Sequence, residues 1–123
     1  MEDTTPEHHY SLERTRDGRL AHVSAVLPYG PDEGGLITDP EPAVARCLEL
    51  LGERLAEAGF GLADVLKTTV YLTDLSWRES VNRVYARVVS PPMPARTAVE
   101  VRALPRGACI EIDAVVQGPE PTA

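Results

Sequence analysis

Apolar residues recur along this chain with two periods, and the switches between them predict its elements. Tyr10 to Thr15 and Leu20 to Leu27 alternate as strands, separated by Arg16-Asp17-Gly18-Arg19, whose Asp-Gly pair signals a hairpin. Val44, Leu48, Leu51, Leu55 and Ala58 then follow at spacings of four and three, one stripe of a helix. Asp39 fits its N-cap with Pro40 at the first helical position, and Gly59 fits the left-handed residue that ends it. Val65 to Leu72, dense in β-branched residues, reads as a strand. Ser76-Trp77-Arg78-Glu79 fits a capping box opening a second helix, whose stripe is Trp77, Val81, Val84 and Val88 with Tyr85 beside it.

Ser90-Pro91-Pro92-Met93-Pro94 breaks that helix. Beyond it, Arg96 to Arg102 and Ile110 to Val115 are alternating runs joined by Leu104-Pro105-Arg106-Gly107, the pattern of a β-hairpin. The order is strand, strand, helix, strand, helix, strand, strand. Each helix has one apolar face, so the economical architecture is α+β: a mixed sheet with both helices packed on one side. The other sheet face mixes apolar and charged residues, and either solvent or further subunits would suit it. Pro28 to Pro42, with four prolines and three glycines, is expected to be an irregular loop, and one so long in a small domain is often functional.

A chain of 123 residues makes one domain. Residues 1–9 and 118–123, rich in Pro, Glu and Thr, are expected to be flexible ends around a domain at 10–117. Aromatics are scarce, so Val, Leu, Ile and Ala must build the core. The net charge of -7 repels phosphate backbones and argues against nucleic acid as a partner. No stretch approaches the roughly 20 apolar residues that span a bilayer, and the first nine residues lack a signal-peptide core; the expected location is the cytoplasm, with no membrane partner. Cys47 and Cys109 have no metal-like spacing and are expected to be reduced thiols, Cys47 a packing residue. His8 and His9 fall in the leader and His22 stands alone in a strand, so no metal site is expected.

The candidate chemistry lies in the last two runs. Arg96 begins one, and Glu111 sits on the polar parity of the other. A guanidinium that can grip a carboxylate, with a carboxylate that can manage protons, outlines a small-molecule site.

Five segments, in order, carry a family resemblance: Leu20-Ala21-His22-Val23-Ser24, Ala58-Gly59, Val65 to Leu75 (VLKTTVYLTDL), Val81-Asn82-Arg83-Val84-Tyr85, and the C-terminal pair of strands. From about Tyr10 to Gln117 the chain resembles the RidA/YjgF enamine/imine deaminases. The resemblance implies a chorismate-mutase-like fold, a homotrimer with clefts between subunits, and cofactor-free hydrolysis of 2-aminoacrylate-type enamines, or their imine tautomers, to 2-keto acids and ammonia. It implies that Arg96 holds the substrate carboxylate and that Glu111 activates water. It further implies that Ser24, Ala25, Asn82 and Tyr85 line the cleft, and that Tyr10 covers a neighbouring subunit's cleft.

The chain departs from the family at the cleft wall. Ser24-Ala25-Val26 replaces the usual Ser-Gly-Gln, Ala98 stands where many members have cysteine, and His22 where an apolar residue is common. Such changes suit a dedicated member acting on a larger biosynthetic or catabolic intermediate, and a non-catalytic binder of carboxylate metabolites is a further alternative.

Overall fold

In the computed structural model, which describes residues 11–31 and 34–118, β1 (Leu12–Arg14) and β2 (Leu20–Val26) form the expected hairpin. Gly18 takes the left-handed conformation at its turn (φ 74°), and Asp17 Oδ1 accepts from the Arg19 N–H and the Thr15 hydroxyl. The leader, residue Tyr10 and the last five residues of the expected tail lie outside the described residues. The long loop after β2 is not wholly irregular: Tyr29 and Leu36 form an isolated bridge, and the Ile37 N–H donates to Pro28 O.

Helix α1 (Pro40–Glu57) begins after Asp39 with proline at its first position. Gly59 (φ 89°) ends it: the Phe60 N–H reaches Leu55 O and the Gly59 N–H reaches Ala56 O, a Schellman motif that satisfies the last carbonyls. The predicted stripe is the buried one, with Val44, Leu48, Leu51 and Leu55 all at most 1% exposed. Removing a leucine side chain from water contributes about 1.5–3 kcal/mol, so this face anchors the helix.

The second helix starts differently from its prediction. The cap is Asp74, which accepts from both the N–H and the hydroxyl of Ser76 and opens a 3₁₀ turn (Leu75–Trp77) that runs into α2 (Arg78–Val88). Ser76 is thus a donor to a cap, and its capping box with Glu79 does not form. The buried stripe of α2 is Val81, Val84 and Tyr85, while Val88, in the last turn before the proline break, is 39% exposed.

The expected C-terminal hairpin is replaced by a wider topology. Strands β4 (Ala95–Glu100) and β5 (Ile110–Gln117) do not pair; β3 (Val65–Leu72) lies between them, parallel to β4 and antiparallel to β5. Among the described residues the sheet order is β1-β2-β5-β3-β4. Two-residue periodicity defines a strand but not its partner. Because Ile110, Ile112, Ala114 and Val116 are all buried, β5 belongs at the sheet centre between β2 and β3, while β4, returning from α2, takes the remaining edge of β3. The connecting residues 101–109 carry the chain around the end of β3: the Val101 N–H donates to Leu72 O, and the Thr73 N–H to Cys109 O.

One sheet face packs on α1 and α2, as expected, and the opposite face carries no element of the described residues. Cys47 is buried in the core, and desolvation pushes its thiol far above the usual range, making it a packing residue. No helix among the described residues is long and apolar enough to cross a membrane.

Candidate active site

Strand β4 turns Arg96, Ala98 and Glu100 toward the helices, because their register partners Thr68, Val70 and Leu72 face the core. Arg96 therefore meets α2. Its Nη2 donates to Asn82 Oδ1 at 2.5 Å, and its Cζ lies 4.9 Å from the centroid of the Tyr85 ring. A cation over an aromatic face is stabilised by about 0.5–2 kcal/mol. Tyr85 is itself fixed: it is 3% exposed, and its hydroxyl lies 2.6 Å from Thr68 Oγ1. Burial pushes the Tyr85 phenol above its usual range, and the Thr68 hydrogen bond and the Arg96 charge draw it partly back. Asn82 Oδ1 and the Tyr85 ring thus stand in this chain as braces on the guanidinium. Among the described residues no carboxylate pairs with Arg96, which leaves its charge for a ligand.

Glu111 occupies the other face. It alternates with buried Ile110 and Ile112, and its register partner is Tyr71. Burial pushes the Glu111 carboxyl above its usual 4.5, and the neighbouring Asp113 charge adds to the effect. A carboxyl raised in this way exchanges protons nearer neutrality, which suits acid–base work. Asp113, two residues on, accepts from the Tyr71 hydroxyl at 3.0 Å and the Thr69 N–H at 3.2 Å.

Ser24 and Ala25 belong to this second region. Val23 pairs with Ala114 and Val26 with Ile112, so Ser24 and Ala25 together oppose Asp113 in a bulge. The bulge lets both valines face the core and sets Ser24 and Ala25, partly buried, against the β5 carboxylates. The Ser24 N–H donates to Ser11 O at 2.9 Å. A depression of about 360 Å³ opens here, lined by Ser11, His22, Ser24, Lys67, Thr69 and Asp113.

The expected residues therefore gather into two groups, Arg96 with Asn82 and Tyr85 on the helix side, and Glu111 with Ser24 and Ala25 on the open side. The sheet separates them, so Arg96 and Glu111 do not meet within one chain. Tyr10 lies outside the described residues. Three residues were missed by reading the sequence: Thr68, Tyr71 and Asp113. Asp113 shares the parity of Glu111, a signal that could have found it; Thr68 and Tyr71 become informative only once β3 is placed between β4 and β5. Among the described residues no cluster of three His, Cys, Asp or Glu side chains could hold a metal ion.

The layered sheet and its two helices are the chorismate-mutase-like α+β fold of RidA proteins. The structure of RidA from a Psychrobacter species superposes with a TM-score of 0.81 at 32% identity, covering 86% of this chain and 85% of that one. Residues 1–117 match the family described as endoribonuclease L-PSP, and the chain belongs to this Rid/YjgF family. It is 42% identical over 100 residues to the RutC family protein y4sK of Sinorhizobium fredii, spanning 80% of this chain and 79% of the relative. It is 38% identical over 107 residues to human 2-iminobutanoate/2-iminopropanoate deaminase, spanning 85% of this chain and 78% of the relative.

Proposed function

We propose that this protein is a cofactor-independent hydrolase of small enamines and imines that carry a carboxylate, working as a homotrimer whose sites are shared between subunits. The observation that carries the reading is the braced guanidinium of Arg96, with no carboxylate paired to it among the described residues. A relative named as an imine deaminase at 38% identity supports the reaction class.

A 2-aminoacrylate-type enamine first tautomerises to the imine, gaining a proton at carbon and losing one from nitrogen. Arg96 holds its carboxylate through the fork of the guanidinium, which fixes the plane of the reacting carbon. Glu111, ionised, takes a proton from water as the oxygen adds to the imine carbon. The same proton is returned to nitrogen, giving a carbinolamine. Glu111 then takes the carbinol hydroxyl proton and passes it to the amine as the carbon–nitrogen bond breaks, so that 2-keto acid and ammonia leave. Because the sheet separates Arg96 from Glu111, the cleft takes Arg96 from one subunit and Glu111, with the Ser24-Ala25 wall, from the next. The open face, with Val99 36% exposed beside half-buried Tyr71 and Val115, supplies surface for that assembly. The acidic chain favours a small anion held by one arginine over a polyanion such as RNA. Ala98, smaller than the cysteine many members carry there, favours larger enamines over aminoacrylate, and a cytoplasmic enzyme fits this substrate class.

The test generates enamines in situ from serine or threonine with a dehydratase and follows keto-acid release, on a panel that includes larger amino acids oxidised to their imines. Accelerated hydrolysis of any of them is expected, and inactivity across the panel would leave the carboxylate binder. Shared sites are tested by mixing Arg96→Ala and Glu111→Gln chains after dissociation. A random mixture should recover about a quarter of wild-type activity, since that fraction of ordered neighbours is intact. Sites confined to one chain would recover none.

A further inference from the structure

The open sheet face holds a second carboxylate that the hydrolytic reading does not use. Asp113 lies on the same face of β5 as Glu111, two residues away, and both of its oxygens are engaged: Oδ2 by the Tyr71 hydroxyl at 3.0 Å and Oδ1 by the Thr69 N–H at 3.2 Å. Tyr71 is at once the donor to Asp113 and the register partner of Glu111, so one side chain spaces the two carboxyls. We propose that Asp113 is a positioning residue for Glu111: clamped by Tyr71 and Thr69, its carboxylate stands as a fixed negative charge beside Glu111 and keeps that residue able to carry a proton through the reaction. This inference rests on the reading of Glu111 as the acid–base group of the site.

The surroundings of Glu111 give Asp113 this influence. From β3 it is faced by Tyr71 and, further along the strand, Lys67; from β2, by the bulge residues Ser24 and Ala25, neither of which titrates, with His22 opposite Val115 beyond them. Glu13 of β1 lies opposite His22, and β4 contributes Thr97 and Val99, which carry no charge. Beneath the sheet the buried Cys47 of α1 senses the Glu111 charge. Asp113 is the near anion on that face. The Glu111 carboxyl is raised by burial first and by the Asp113 charge second, and the Tyr71 phenol is raised by burial, by its bond to Asp113 and by the charges of both carboxylates. The clamp also explains why a charged residue is tolerated at a partly buried position: two donors satisfy it.

The experiment is a titration of the Glu111 side-chain carboxyl by ¹³C NMR in the full-length protein, for wild type, Asp113→Asn and Asp113→Glu, with the pH profile of kcat/KM measured on each. Asparagine keeps the shape and the accepting oxygen and removes the charge; the Glu111 midpoint is expected to fall. Glutamate keeps the charge and should leave the midpoint near wild type. An unchanged midpoint in Asp113→Asn, or an equal fall in Asp113→Glu, would overturn the proposal. The NMR readout needs no turnover, so the two readings fail separately. A fall in the midpoint with an unmoved acid limb of kcat/KM would sustain the action of Asp113 on the Glu111 charge and remove Glu111 from the reaction. A limb that moves down with the midpoint supports both.

Discussion

The two faces of this sheet solve opposite problems. On the helix side, Val70, Leu72, Ile112 and Val116 meet α1 and α2 with almost no exposure, and the buried polar residue among those described, Thr68, is satisfied by Tyr85. On the open side, Tyr71, Glu111 and Asp113 lie half-buried with nothing from the described chain above them. The dry face is finished by the chain itself. The open face concentrates carboxylates whose burial is incomplete, and its surface suits a neighbouring subunit. Arg96 sits at the margin of the first face and Glu111 in the middle of the second, so the proposed chemistry needs both faces and, through them, two chains.

Breaking the helix-side half of this arrangement should have the largest effect. Arg96→Ala removes the charged partner of the substrate carboxylate, a loss of roughly 2–5 kcal/mol in binding, so kcat/KM should fall a hundredfold or more while the melting temperature changes little. Activity near wild type would remove Arg96 from the site. Breaking the open-face half should act on rate: Glu111→Gln should lower kcat by about a hundredfold with little change in affinity for a keto-acid product, because Arg96 still holds that end. Equal losses of rate and affinity would make Glu111 a wall of the cleft.

The brace beneath Arg96 offers a sharper comparison. Thr68→Val leaves the Tyr85 hydroxyl unpaired in the core and should cost about 1–3 kcal/mol in denaturant unfolding, with KM rising more than kcat falls. Thr68→Ser should restore most of both. An increase in stability from valine would mean the hydroxyl pair is not needed. The smallest effect is on stability against pH. Because the Glu111 carboxyl is raised when folded, the native state binds that proton more tightly than the unfolded chain does, so stability is complete below the usual 4.5 and declines as pH rises through the higher folded value. Glu111→Gln should therefore melt slightly higher than wild type at pH 7–8, with the gap closing below about pH 4. A gap that persists in acid would trace the gain to packing.

Much of the fold could be read locally. The α1 stripe, its proline start, its glycine end and the Asp17-Gly18 turn are each set by residues within a few positions of one another, and each stands as expected. The start of α2 departs from its local pattern because two polar residues, two positions apart, compete for one cap: Asp74 is a full carboxylate, two residues before the N–H it caps, and it takes Ser76 as a donor. Arg96, Glu111, Asn82 and Tyr85 were visible as residue types in a familiar order, but their grouping was not. Reading Arg96 and Glu111 as one site within a chain assumes a hairpin, in which the two would share a face.

What the sequence alone determined, then, is the set of elements, the apolar stripe of α1 and the chemistry-bearing residues, since helical and strand periods and caps depend on short stretches of chain. Only the tertiary structure decided which strands are neighbours. Insertion of β5 between β2 and β3 depends on the burial of Ile110, Ile112, Ala114 and Val116 on the sheet's helix-covered side, a gain available only once α1, α2 and β3 are assembled. That choice separates Arg96 from Glu111, aligns Tyr71 with Glu111 and brings Asp113 against Thr69, contacts 42 or more residues apart in sequence for the Asp113 bonds that no local pattern could encode.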